Sequence, residues 1–224
     1  CAMPWPLTIA PVTVMRSRAH PAGEIARAAT EAESAMRDAG IVVVGDIANT
    51  TATAGIKSRG TLYYHTFVEA IGVKDADAPA RLAAALKTLA VFAAAGQKAS
   101  VVPHAPYSVS ASLMQAIDAL GGDPILSIHN QESPQEDFLF RGEPGGFQRL
   151  YEAIGQEPLK IPAPASSSLR AWLPRFTRRQ PLIAVHDTFS SESDIRFAME
   201  STHPFYWCLC PGANLYIENR LPPL

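Results

Sequence analysis

The sequence is too poor in cysteine to be held together by disulfides: Cys1, Cys208 and Cys210 are the only three in 224 residues. Cysteine usage of this kind suits a reducing, cytoplasmic setting. No apolar run reaches the roughly eighteen residues of a membrane-spanning helix. Basic residues do not dominate either. The net charge is −2, and no basic stripe offers itself to nucleic acid. The sequence contains no G-x-G-x-x-G, G-x-x-x-x-G-K-[ST] or G-x-S-x-G, so nucleotide cofactors and a serine nucleophile elbow have no support. Residues 1–20, CAMPWPLTIAPVTVMRSRAH, are broken by prolines and lack the basic start of a secretion signal. They read as an irregular segment, and the missing initiator methionine suggests an incomplete chain.

What is present alternates. Hydrophobic residues make up 47% of the chain, enough to bury one core. Residues 21–39 repeat apolar side chains at helical spacing (Ile25, Ala29, Ala32, Met36) and stop at Gly40. Strands are expected at 41–44, 62–68, 99–102, 125–128, 182–185 and 205–210, with helical patterns between them. In the second strand Tyr63, His65, Phe67 and Glu69 share one face. Ser110, and Ser191 with Asp194, suit helix starts. Residues 130–146 read as one long loop and 158–168 as an irregular connector. Strict β-α alternation predicts an α/β fold with a parallel sheet, and residues 1–224 then form one partial (β/α)8 barrel domain with about six of its eight units. The unclosed edges predict self-association.

Three predicted strands end in histidine: His104, His129 and His186. In barrels of this kind chemistry sits at the C-terminal ends of strands. His129 is followed three residues later by Glu132, which places an imidazole suited to zinc beside a carboxylate able to move a proton. His104 lies in HAPYSVS with Tyr107, a ring and a hydroxyl suited to a flat polar ligand. His65 reads as packing inside the barrel, and Cys208 and Cys210 as buried thiols on one strand face.

Six segments together, Gly40–Thr50, Tyr63–Gly72, His104–Ser110, Ile128–Glu132, Val185–Phe189 and Trp207–Pro222, resemble the amidohydrolase superfamily in its metal-dependent deaminase and chlorohydrolase-like branch. The resemblance implies a (β/α)8 barrel holding one divalent metal ion, zinc or iron. It also implies that a metal-activated water replaces an amino group on an aminated purine nucleoside or a related heterocycle. Carried over by position, His129 would ligate the metal and Glu132 would shuttle the proton. His186 would orient the attacking water, while His104, Tyr107 and Asn214 would face a small-molecule substrate. The family's H-x-H pair would fall before residue 20 and its aspartate beyond Leu224, and this sequence has neither. Asp187 stands where an asparagine is usual. The alternative is a catalytically inactive barrel remnant that binds a purine-like ligand.

Overall fold

In the computed structural model, residues 21–122 and 124–223 are described; the segment 1–20 lies outside them. Nine α-helices and six strands follow one another along these residues, with three of the helices in succession between the fourth and fifth strands. They are α1 (Ala22–Asp38), β1 (Val43–Ala48), α2 (Ala54–Lys57), β2 (Tyr63–Ala70), α3 (Ala78–Ala94), β3 (Lys98–Pro103), α4 (Ala111–Asp118), β4 (Leu126–Asn130), α5 (Pro134–Arg141), α6 (Gly146–Ala153), α7 (Ser168–Trp172), β5 (Leu182–His186), α8 (Glu192–Met199), β6 (Phe205–Cys208) and α9 (Pro211–Glu218). All strand pairs are parallel, in the order β1-β2-β3 and β4-β5-β6. The two sheets meet between β3 and β4. There Ser100 Oγ donates to Ile125 O at 2.7 Å and His129 N donates to His104 O at 2.9 Å.

The helix boundaries follow local chemistry. α1 ends at Gly40, whose φ of +83° closes the helix with Ile41 N donating back to Met36 O at 3.0 Å. Ser110 Oγ accepts from Leu113 N at the start of α4. Ser191 and Asp194 form a reciprocal capping box at the start of α8.

Pleating divides β2 as the alternation predicts. Tyr64 and Thr66 point outward, where Tyr64 Oη donates to Glu33 on α1 and Thr66 Oγ1 accepts from Lys57 on α2. His65 and Glu69 point to the opposite face. The core lies between the strands and the helices, around Val68, Phe92, Val102, Leu113, Ile128 and Trp172. Removing Phe92 alone from water contributes about 1.5–3 kcal/mol.

Four expectations are corrected. β1 runs on to Ala48, because Asp46 is held on its outer face by Lys57. Residues 130–146 are not one loop, since α5 lies within them. Ser133 caps that helix with its side chain on Gln135 N, Pro134 opens it, and Gly142 closes it at φ +75°. β6 ends at Cys208, two residues before the expected end, and α9 follows it from Pro211. Cys208 is exposed and Cys210 lies beyond β6, so the pair is not a buried strand face. No helix among the described residues is long and apolar enough to cross a membrane.

Candidate active site

β2, β3, β4 and β5 bring Glu69, His104, His129 and His186 to the C-terminal ends of the strands, with Glu132 just past β4. The His104 and His129 ring centres are 4.9 Å apart, and those of His129 and His186 5.4 Å. The three histidines singled out by sequence therefore form one row.

Strand register alone does not account for the place of His186. It pairs with Asn130, whose side chain faces outward to Trp172 Nε1 at 2.8 Å. Simple alternation would put the imidazole on that outer face. Instead His186 has φ +80° and Asp187 φ +53°, and the ring comes to lie beside His129. Gln131, opposite, is also left-handed at φ +44° and precedes Glu132. Non-glycine residues in this region cost on the order of 1–3 kcal/mol each and cluster where function requires the geometry.

Hydrogen bonds assign the proton on each ring. His129 Nδ1 lies 2.7 Å from the carbonyl oxygen of His104, which can only accept, so Nδ1 carries the hydrogen and Nε2 the lone pair. Ser108 Oγ donates to Ala105 O at 3.1 Å and therefore accepts from His104 Nδ1 at 2.7 Å. Asn214 Nδ2 donates to His186 O at 3.1 Å, which leaves Asn214 Oδ1 to accept from His186 Nδ1 at 3.0 Å. All three rings present a basic Nε2. That of His186 faces Glu132 Oε1 at 3.4 Å.

Burial pushes the Glu132 carboxyl up; nearby His129 opposes the rise and Glu218 adds to it. Burial pulls His186 down, against its bond to Asn214. Each group is thus easier to hold neutral than in water, and one proton between them suits both. Glu136, fully buried, accepts from the backbone N–H groups of Gln131 and Glu132 and from Ser168 Oγ. It fixes the turn that carries Glu132. Burial and the Glu132 carboxylate push Glu136 up to about 8.

Two predicted substrate contacts sit differently from expectation. Both ends of the Asn214 amide are occupied by His186, and the residue lies within α9. Its side chain supports a catalytic candidate and does not line open space. Tyr107 is buried, its ring stacked on Phe147 at 4.3 Å and edge-on to His104 at 6.0 Å. Burial, then the Glu132 and Glu136 carboxylates, raise its phenol well above the ordinary range.

Sequence reasoning gave no role to Glu69, Glu136 or Ser108. Glu69 was legible as sharing the His65 face, and Glu136 as the carboxylate one helical turn after Glu132.

The donors present fit a divalent metal ion. They offer basic imidazole nitrogens and buried carboxylates, the set that zinc and iron accept. Glu69, His104 and His129 each have a ligand atom within 4.8 Å of the others.

No protein-family model matches the sequence. No curated protein matches it either. Several solved structures do match in fold. Helicobacter pylori aminofutalosine deaminase superimposes with a TM-score of 0.71 at 22% identity, covering 83% of this chain and 46% of that one. Its complex with methylthio-coformycin gives 0.74 at 21% identity, covering 86% and 47%. An adenosine deaminase from Xanthomonas campestris with bound zinc gives 0.67 at 17% identity, covering 99% and 48%. The chain thus has an α/β fold of parallel strands like that of these deaminases, and spans about half the length of each.

Proposed function

We propose that the chain carries the hydrolytic half-site of a (β/α)8 deaminase, acting on an amino-substituted heterocycle such as an aminated purine nucleoside. The observation that carries this reading is the buried Glu132–His186 pair, a carboxyl whose affinity for a proton is raised beside an imidazole whose affinity is lowered. Such a pair can take a proton from an attacking water and return it to a leaving amine.

His129 would hold a zinc or iron ion through Nε2, its ring fixed by the His104 carbonyl. When bound, that ion supplies Lewis-acid activation of water. Glu132 Oε1 takes the proton of the water, whose hydroxyl adds to the ring carbon bearing the amino group. The same oxygen then gives the proton to the departing nitrogen, and ammonia leaves. His186 Nε2 steers the water from the other side, kept basic by the Asn214 amide on Nδ1. His104 would face the substrate, with Tyr107 packed edge-on behind its ring at 6.0 Å. The fold shared with a deaminase that holds methylthio-coformycin supports a small-molecule ligand at this rim.

The test is Glu132→Gln. Ammonia release from aminated purine nucleosides should be lost while zinc content stays the same. Retained turnover would refute the proton-transfer role. A wild-type chain that binds the nucleoside without releasing ammonia would establish the inactive-remnant reading instead.

A further inference from the structure

One buried carboxylate at the rim has no part in the proton transfer. Glu69 stands on the inward face of β2 with its side chain 4% exposed, and its Oε1 lies 3.4 Å from His129 Nδ1. We infer that Glu69 is a positioning residue for His129: it acts on the metal through that imidazole rather than by ligating the ion. The inference rests on the metal reading above.

The choice between ligand and positioning residue follows from the direction of the hydrogen bonds. By atom type alone, Glu69, His104 and His129 could share one ion, since their ligand atoms lie within 4.8 Å of one another. But the nitrogen of His129 nearest Glu69 is Nδ1, and Nδ1 already donates to the His104 carbonyl at 2.7 Å. An ion bridging Glu69 and Nδ1 would have to remove that proton and place two electron-rich atoms, nitrogen and carbonyl oxygen, face to face. An ion at Nε2 leaves the bond intact.

A carboxylate beside a donated Nδ1–H favours that tautomer and makes the far nitrogen a stronger ligand. The His104 carbonyl, just past β3, sets the direction of the ring, and the carboxylate of β2 supplies the charge. Three consecutive strands thereby converge on one imidazole.

The experiment compares wild-type chain with Glu69→Gln and Glu69→Asp. Zinc affinity is read by titration with zinc chloride against a chromogenic chelator. The ring tautomer of His129 is read by 15N NMR of the metal-free chain. Glu69→Gln should weaken zinc binding about 10–100-fold without changing the number of ions per chain. It should also move His129 from the Nδ1–H toward the Nε2–H form. Glu69→Asp, which keeps the charge, should restore much of both, and it carries the comparison if the glutamine variant does not fold. Loss of the ion from Glu69→Gln with the tautomer unchanged would make Glu69 a ligand and overturn the inference, as would no change in either readout. A wild-type chain that binds no zinc would defeat the functional reading alone, because the tautomer measurement still decides the role of Glu69.

Discussion

His186 and Glu132 face each other across 3.4 Å with the imidazole turned so that its unprotonated nitrogen meets the carboxyl. Asn214 imposes that orientation by accepting at Nδ1 and donating to the backbone carbonyl of His186. A chain of three residues from two strand ends and one helix therefore decides which nitrogen is basic.

Asn214→Ala should release this control. The His186 N–H and carbonyl would both lose their partner in a buried setting, at a cost of about 1–3 kcal/mol. Denaturant unfolding measures the loss, and 15N NMR of the His186 ring should show a mixture of tautomers. A single unchanged tautomer would show that the amide does not set the orientation.

Glu136 makes stability fall as pH rises. Its carboxyl is pushed from the ordinary 4.5 to about 8 by burial and by Glu132. Between those values the unfolded chain has released the proton while the folded chain still holds it. Stability is therefore highest below about pH 4.5 with respect to this group and is lost toward pH 8. In Glu136→Gln that slope should vanish, so the variant should gain on wild type, by roughly a few kcal/mol, between pH 5 and pH 8. Parallel pH curves for the two proteins would contradict the protonated carboxyl.

Asp187 behaves in the same sense. Its Oδ1 accepts from Asn130 at 2.9 Å, while Oδ2 is buried with no partner among the described residues. Burial raises the group from 3.8 to about 7, against the bond from Asn130. Stability conferred below about pH 4 is lost as pH climbs through 7. Asp187→Asn should gain on wild type as pH rises from 4 to 8, because the amide never ionises. Equal stability at both pH values would mean that the carboxyl is solvated.

Much of this site could be read from the chain. The apolar runs before His104, His129 and His186 identify strand ends, and period-two alternation puts His65 and Glu69 on one face of β2. The side to which His186 turns was not legible, because it depends on a left-handed backbone at a residue that is not glycine. Nor could spacing show that Asn214 serves His186, since the two are 28 positions apart and meet only when the first turn of α9 comes beside the end of β5. α5 was missed although Ser133, Pro134 and Gly142 mark its ends, because its polar residues Gln135, Glu136 and Asp137 resemble a loop until Glu136 is seen turned inward.

The outer layer offers a test of the fold that is independent of the site. Lys57 on α2 has a side chain only 2% exposed, paired with Asp46 of β1. Its Nζ lies 2.8 Å from Thr66 Oγ1 and 4.7 Å above the Phe92 ring. A buried cation with several partners is costly to strand and much less costly to replace. Asp46→Ala leaves the ammonium with one hydroxyl and two aromatic faces, and should cost about 3–5 kcal/mol. Lys57→Met keeps the stem against Phe92 and leaves the carboxylate of Asp46, one-third exposed, free to turn to water. Its cost should be the smaller of the two, and thermal unfolding of both variants reads the order directly. If Lys57→Met were the more damaging, the ion pair rather than the stranded charge would be what holds α2 against β1 and β2.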